Sequence, residues 1–262
     1  MSLRSGSLLP GALLVGGLLS GVGVPVARGA GAFDPTHTSF QRVLDARLSG
    51  GRVDYAAIHA APADLAGYVA EVAAAPVSTL SAADRKALSI NAYNACTMKL
   101  VADSYPIVSM QDLDGGKVWD TRRCVVGGVA LTLDEIEGGL RKLGDPRIHA
   151  ALNCAAIGCP PLSSQVYTGA TLDAQLDAAA TRWAATAGWG GGVLSVNRIF
   201  DWYGEDFIAR HGAASFDIPG LDGKTEAAAN FIAAYAPERA GALRAGGYTV
   251  TFVDYDWRLN GK

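Results

Sequence analysis

The feature that most constrains the fold is an uninterrupted helical stretch, LSAADRKALSINAYNACTMKLVADSYP, which covers residues 80–106. Ser81 and Asp84 have the spacing of a capping box, which marks the start of a helix. Pro106 disfavours helical geometry at the residue before it, and the interior contains no Gly or Pro. The sequence therefore predicts one long helix that packs into the core, around which the other elements must be arranged.

Two amide side chains lie on or beside the apolar face of this helix. Leu88, Asn91, Ala95 and Met98 follow the spacing of a buried stripe, and Asn94 flanks it. Burying an amide without partners costs about 1–3 kcal/mol, so both side chains should have specific hydrogen-bond partners. Two explanations remain open: the amides hold neighbouring backbone, or they line a pocket.

The remaining segments mix helices with short strands. Gly127 and Gly128 separate two apolar runs in the manner of a tight hairpin, and Thr132 with Glu135 forms a capping box for the helix that follows. Later stretches predict a helix from Thr171 to about Ala187, a strand in VLSVNRIF, a helix in TEAAANFIAAYA and an alternating strand near the end.

This order of elements predicts the α+β class, with helices interleaved with a small, mostly antiparallel sheet. The chain has no internal repeat and no linker long enough to divide it, so residues 33–262 are predicted to form a single domain. It also lacks a Gly-rich phosphate loop, and we predict no cofactor.

The first 32 residues have the pattern of a secretory signal peptide. Arg4 precedes an apolar stretch broken by Gly and Pro, and Ala30 to Ala32 reads Ala-Gly-Ala. The alternative is a membrane anchor, but no charged stop-transfer cluster follows. We predict removal of residues 1–32, export to the periplasm or the extracellular space, and no stable membrane span after processing.

Charge argues against one class of partner. The 262-residue chain has a formal net charge of −3 and no Lys/Arg stripe with interleaved aromatic residues. Such a chain presents no basic field to attract phosphates, so nucleic acid is not expected to bind.

The stretch RIHAALNCAAIGCPPL, residues 147–162, holds unusual chemistry for a chain with only four Cys and four His. Its ends are typical of a helix, whereas its apolar residues alternate as in a strand. In either geometry His149 and Asn153, four residues apart, would share a face, and Cys154 would point elsewhere.

The cysteines of this stretch admit three interpretations. In an exported protein an even number of Cys first suggests disulfides, and Gly158 permits the chain reversal that a Cys154–Cys159 bridge needs. A functional thiol and a metal site are the alternatives, although no second ligand pair is visible and we predict no metal. Cys96 and Cys124 would be left for a second bridge.

The order of five motifs makes the chain resemble the domain of unknown function 547 family over roughly residues 40–260. The motifs are SINAYNA, LTLDEIE, GDPRIHAALNCAAIGCPPL, IFDWYGEDF and YDWRLN. The resemblance implies that the family pattern includes Asn91, Tyr93, Asn94, Glu135 or Glu137, Arg147, His149, Cys154 and Cys159. The family often carries His where this chain has Gly138, so a role for that His is absent here or supplied by another residue.

A fainter likeness connects the chain to the papain and transglutaminase style of fold. There a helix carrying a nucleophilic Cys precedes a strand carrying His, which would make His149 the base. This chain has Asn91 and Asn94 where a thiol would be expected at the helix start, and Cys96 lies in mid-helix. A shared fold would not by itself imply a peptidase.

Two functions from different classes are consistent with these residues. The first is an exported hydrolase or transferase with a polar pocket around His149. Its candidate catalytic residues are His149, Asn91, Asn94, Glu135 and Arg147, and Tyr93 and Asn153 would line the pocket. The second is a non-catalytic module, stapled by disulfides, that binds a small ligand or a component of the cell envelope.

Overall fold

Helices dominate residues 33–262, the part of the chain that the computed structural model describes. The predicted signal peptide lies outside these residues. In chain order the helices are α1 Thr38–Arg47, α2 Tyr55–Ala60, α3 Ala63–Ala73, α4 Ala82–Asp103, α5 Val118–Thr121, α6 Leu133–Arg141, α7 Leu172–Ala184, α8 Ile199–Trp202, α9 Gly204–His211, α10 Gly223–Tyr235 and α11 Ala240–Arg244. The strands are β1 Leu48–Ser49, β2 Arg52–Val53, β3 Arg123–Val126, β4 Val129–Thr132, β5 Gly188–Gly190, β6 Val193–Val196 and β7 Thr249–Phe252.

Helix α4 confirms the prediction of a long central helix. The Ser81 hydroxyl accepts a hydrogen bond from the Asp84 amide at 3.0 Å, and the helix ends at Asp103, before Pro106. Thirteen of its 22 residues are buried, so more than one face is covered. Its neighbours are α2, α3 and α6, which makes α4 the element that orders this half of the fold.

The strands form three small sheets rather than the one sheet predicted. The pairs β1–β2 and β3–β4 are antiparallel, and in the third sheet β6 lies between antiparallel β5 and parallel β7. The α+β class is confirmed, because helices and short, mostly antiparallel strands share the fold.

The predicted hairpin is present at β3–β4. Gly127 and Gly128 have φ of 56° and 82°, as a tight turn of this kind requires. A Cβ on Gly127 would collide with the side chain of Val77, because the turn docks closely on the end of α3. There the two turn amides donate to the carbonyls of Val72 and Ala73 at 3.0 and 2.8 Å.

Two clusters of buried apolar residues make up the core. The first surrounds α4 and includes Phe40, Leu88 and Ile148, whereas the second is built around aromatic side chains of α7 to α10. Ile148 belongs to the first cluster and Ala150 to the second. His149 therefore lies where the two clusters meet.

Two predictions of local structure are wrong. Residues 147–162 form neither a helix nor a strand throughout: a 3-10 turn, Pro146–Ala150, is followed by irregular chain whose backbone is bound by amide side chains from elsewhere. The strand predicted in VLSVNRIF ends at Val196. There the Asn197 side chain accepts from the Ile199 amide at 3.0 Å, which turns the chain into α8.

Residues 33–262 contain no helix long and apolar enough to cross a membrane.

Candidate functional site

A cavity of about 210 Å³ lies where the two apolar clusters meet, next to His149. Six aromatic rings, three carboxyl side chains and two Cys dominate its wall. The lining residues are Tyr93, Trp119, Asp120, Asp134, Glu137, His149, Leu152, Cys154, Cys159, Pro160, Ile199, Trp202, Tyr203, Tyr255 and Trp257. The residues described here contribute no Lys, Arg, Ser or Thr to this wall, so the cavity is acidic and aromatic.

The imidazole of His149 is held from behind by an aspartate. The 3-10 turn that carries it begins at Asp145, whose side chain accepts from the Arg147 amide at 3.2 Å. His149 Nε2 lies 2.8 Å from Asp206 Oδ2, and the ring packs against those of Tyr203 and Phe207. With an exposed fraction of only 3%, this ring has little freedom to reorient.

Asp206 is an ionised carboxylate in this arrangement. Burial alone would raise its pKa, but hydrogen bonds from His149 and Arg141 outweigh that effect and lower the pKa to about 2. Arg141 donates to both carboxylate oxygens at 2.6 and 3.1 Å. Because an ionised carboxylate only accepts hydrogen bonds, a neutral His149 must carry its proton on Nε2, which leaves Nδ1 free to accept one.

Glu137 faces His149 from α6. Its Oε1 lies 3.9 Å from His149 Nδ1, which is longer than a direct hydrogen bond. Burial raises the pKa of Glu137 above its ordinary value, although the charge of His149 and the Tyr203 hydroxyl act in the opposite direction. Glu137 therefore retains its proton to a higher pH than an exposed glutamate does.

A second carboxyl group with a raised pKa lies one helical turn earlier. Partial burial, followed by a hydrogen bond and charge repulsion from Asp120, raises the pKa of Asp134 to about 7. Its two carboxyl neighbours, Asp120 and Glu137, also line the cavity. A carboxyl group that titrates near neutral pH, as Asp134 does, is suited to acid–base chemistry.

Indole and phenol rings cover the mouth of the cavity. Trp257 contacts Trp119, Trp202 and Tyr255 with ring centroids 5.6, 5.7 and 4.6 Å apart. Trp202 is 46% exposed, so part of this aromatic surface faces solvent. Large apolar faces beside carboxylates can hold a flat neutral group or a cation.

The structure places Asn91 and Asn94 outside the cavity wall. Asn91 donates to the Tyr167 carbonyl and accepts from the Tyr167 amide, at 2.7 and 3.0 Å. Asn94 donates to the Ala151 carbonyl at 3.0 Å and accepts from the Asn153 amide at 2.9 Å. Both amides hold backbone against α4.

Asn153 connects this arrangement to the C-terminal segment. Its Oδ1 accepts from the Ala155 amide and from Asn260 Nδ2, and its Nδ2 donates to the Pro160 carbonyl, each at 3.0 Å. Asn260 in turn accepts from the Tyr55 hydroxyl at 2.7 Å. This buried network, Asn94, Asn153, Asn260 and Tyr55, fixes the segment that forms one wall of the cavity.

Two other predicted catalytic residues lie away from the cavity. Glu135 accepts from the Thr132 amide and from Arg123, as the predicted capping box requires. Arg147 binds Asp145 and two carboxylates of α7, Asp173 and Asp177. Of the predicted site residues, His149, Tyr93 and the two Cys of the motif therefore share the cavity, whereas the amides, Glu135 and Arg147 surround it.

The four cysteines form two pairs that are capable of disulfide bonding. The Cα atoms are 6.2 Å apart in both Cys154–Cys159 and Cys96–Cys124, within the range that a disulfide allows. Cys154 and Cys159 line the cavity, whereas Cys96 and Cys124 join α4 to the β3–β4 hairpin at a distance from it.

Of the two acidic partners of His149, Glu137 was predicted only as an alternative to Glu135 in the family pattern, and Asp206 was not predicted. Glu137 lies four residues after Leu133 and three before Leu140, on the buried face of α6, and a carboxylate at such a position was a usable signal. Asp206 gave no comparable signal, because it is far from His149 in sequence. The aromatic mouth was visible only as an excess of rings in IFDWYGEDF and YDW.

No group of three or more His, Cys, Asp or Glu within residues 33–262 has an arrangement that could hold a metal ion.

Residues 77–183 match a family model described as "Protein of unknown function, DUF547". The matched region includes α4, the β3–β4 hairpin, α6 and the segment that carries His149 and both cavity cysteines. Comparisons with curated proteins and with solved structures give no match.

Proposed function

We propose that this chain, which belongs to the DUF547 family, is an acid–base hydrolase or transferase whose reaction takes place in the cavity beside His149. The observation that carries the proposal is the placement of His149 between two carboxyl groups whose pKa values are shifted in opposite directions. Asp206, with a pKa lowered to about 2, fixes the ring, while Glu137, with a raised pKa, faces the other ring nitrogen.

His149 and Glu137 carry out the proton transfers of the proposed reaction, one as base and the other as acid. Nδ1 of His149 is the general base, because its orientation and tautomer are set by Asp206, as a carboxylate sets them in a catalytic triad. Glu137 is the general acid, because burial raises its pKa and the carboxyl group keeps its proton to a higher pH than an exposed glutamate does. The 3.9 Å between Nδ1 and Oε1 leaves both groups free to address a reactant rather than each other.

The nucleophile comes from the reactants in this scheme. The described wall offers no Ser, Thr or Lys, and a Cys154–Cys159 disulfide would leave no free thiol there. Water, or the hydroxyl or amine of a second substrate, would be activated by His149. The first gives hydrolysis and the second gives group transfer.

The cavity wall also restricts the substrate. The described wall holds three carboxyl groups, Asp120, Asp134 and Glu137, and no Lys or Arg, so an anionic group would find no positive partner there. The rings at the mouth favour a flat or apolar face. The substrate class is therefore neutral or cationic, with one apolar face.

Export is part of this proposal. The signal-peptide pattern of residues 1–32 and two pairs of disulfide-capable Cys fit an oxidising compartment, the periplasm or the extracellular space. A component of the cell envelope is then the natural substrate.

The second candidate is a module that binds a small cation without transforming it. It is favoured by the aromatic mouth, where Trp257 contacts Trp119 and Trp202, and by the three carboxyl groups of the same cavity wall. Aromatic faces and carboxylates together are the usual means of binding quaternary ammonium groups.

Activity assays on a panel of substrates, together with a ligand-binding measurement, distinguish the enzyme from the binding module. Wild type and His149→Gln would be assayed with p-nitrophenyl esters, p-nitrophenyl glycosides and peptide p-nitroanilides, each in neutral, cationic and anionic forms. We expect turnover of a neutral or cationic member, and its loss in the variant. Turnover that persists in His149→Gln would contradict the proposal that His149 is the general base of an enzyme. Absence of turnover, with tryptophan fluorescence quenched by phenyltrimethylammonium, supports the binding module.

A further inference from the structure

The Cys154–Cys159 pair differs from the other Cys pair in its position and in its surroundings. Both of its residues line the cavity, where Cys154 is half-buried and Cys159 is 9% exposed. A small molecule that enters the cavity can therefore reach Cys154 more easily than Cys159.

Three donors converge on the sulfur of Cys159. The amides of Cys154 and Ala156 lie 3.0 and 3.3 Å from it, and the Tyr255 hydroxyl lies 3.2 Å away. Ala155 has a φ of 68°, which folds the chain so that the amides on either side of it point at one atom. Two amides that flank a left-handed residue in this way form a nest, an arrangement that favours a negative charge.

The same tyrosine touches the partner sulfur. Tyr255 Oη is 3.0 Å from Cys154 Sγ, and burial raises the pKa of Tyr255, so the phenol keeps its proton and can donate it in a hydrogen bond. Gly158 allows this approach, because a Cβ there would meet the Tyr255 ring at 3.0 Å.

Within residues 33–262, the second pair has no comparable donors. The one polar contact found there lies between Cys124 Sγ and the Val125 carbonyl oxygen, at 4.0 Å, and a disulfide sulfur has no proton to donate to it. A neutral disulfide sulfur is a weak acceptor, whereas a thiolate is a strong one. The three donors at Cys159 thus match the reduced, charged state of that sulfur.

We propose that Cys154 and Cys159 form a redox-active thiol–disulfide site that exchanges with low-molecular-weight thiols, with Cys154 as the attacked sulfur and Cys159 as the leaving group. This inference is independent of the acid–base function. The acidic wall makes cationic aminothiols better reactants than anionic thiols.

The exchange is a balanced two-electron reaction. A thiolate attacks Cys154 Sγ, a mixed disulfide forms there, the Cys154–Cys159 bond breaks, and its electron pair remains on Cys159 as a thiolate. A second thiolate attacks the small-molecule sulfur of the mixed disulfide and releases Cys154. In total, two thiols become one small disulfide, and the protein disulfide becomes two thiols. A leaving thiol of low pKa departs faster, which is the contribution of the nest and Tyr255.

The test treats oxidised full-length protein with cysteamine, or with 2-mercaptoethanesulfonate as the anionic counterpart, followed by alkylation and peptide mass mapping. Cys96–Cys124 is the internal control in every sample. We expect cysteamine to open Cys154–Cys159 at least about tenfold faster than the control pair, as expected for a leaving thiolate with donors. Cysteamine should also react faster than the sulfonate, and acid quenching of the wild-type reaction before completion should trap the mixed-disulfide adduct on Cys154.

The rate of thiol alkylation, measured as a function of pH, tests the proposal on the wild-type protein without any substitution. In reduced wild type the Cys159 thiol should titrate below the ordinary Cys value of about 8.5.

Tyr255→Phe should slow the opening of the Cys154–Cys159 disulfide about tenfold, since one hydrogen bond to a charged group is lost. Equal opening rates for both pairs, an adduct on Cys159, or a Cys159 pKa at or above the ordinary value would overturn the proposal.

Discussion

Replacing Glu137 with Gln is expected to lower turnover of any substrate that wild type accepts by about 10²–10⁴-fold, the usual contribution of a general acid or base. The change keeps the shape of the side chain and removes the carboxyl proton, which Glu137 holds to a higher pH than an exposed glutamate does because its pKa is raised. It leaves Asp206 and its hydrogen bond to His149 in place. The loss should therefore be in kcat more than in KM.

Glu135→Gln is the matched control for this variant. It makes the same chemical change on the same helix, and Gln can replace Glu in the capping box at Thr132. Glu135 is not part of the cavity wall. Steady-state kinetics should give wild-type kcat for this control. Equal losses in both variants would mean that Glu137 has no special role.

Replacing Asn153 with Ala is expected to lower the free energy of unfolding by about 3–5 kcal/mol, because each unsatisfied buried polar group costs about 1–3 kcal/mol. Three groups lose their partner: the Ala155 amide, Nδ2 of Asn260 and the Pro160 carbonyl. The segment that these bonds fix carries both cavity cysteines. Urea unfolding measures the change.

Gln111→Ala controls for the loss of an amide as such. Gln111 is exposed, and within the described chain its side chain makes no hydrogen bond. Surface substitutions of this kind usually stay within about 0.5 kcal/mol of wild type. A loss at Asn153 no larger than that at Gln111 would contradict the role of the buried network.

Local signals in the sequence were enough to predict the parts of the fold that depend on them. Ser81 with Asp84, Thr132 with Glu135, and the Gly127–Gly128 turn each act over a few residues, and all three were confirmed. Their partners lie close in sequence, so residue type and spacing carry the information.

The region around His149 could not be predicted in this way. Residues 151–160 are held mainly by side chains, with Asn94 and Asn260 reaching in from α4 and the C-terminal segment, and not by a regular ladder of backbone hydrogen bonds. Propensity and periodicity describe segments that satisfy their own backbone. They therefore gave conflicting results for this stretch.

The amides illustrate how a buried polar residue can suggest two roles. Asn91 and Asn94 were expected either to hold backbone or to line a pocket, and their hydrogen bonds go to the backbone of residues 151, 153 and 167. Glu137 differs from these amides in its position and its surroundings. In the described chain it lines the cavity, and the charged form of its carboxyl group is disfavoured by burial.

The central claim, that the carboxyl group facing His149 serves function at the expense of stability, can be tested without a substrate. The pKa of Glu137 is raised in the folded protein, so the folded state binds this proton more tightly than the unfolded chain does. The contribution of the group to stability is therefore lost as pH rises from the ordinary glutamate pKa through the raised value. Gln does not titrate and escapes this loss.

The measurement is the thermal unfolding of wild type and Glu137→Gln between about pH 5 and pH 8. We predict that the Tm of the variant, relative to wild type, increases with pH and equals or exceeds the wild-type value at the upper end. This is the behaviour expected of a functional carboxyl group whose buried position lowers the stability of the folded protein. A variant Tm that stays below wild type across the whole range would show that Glu137 is a structural partner of His149, and would contradict the account.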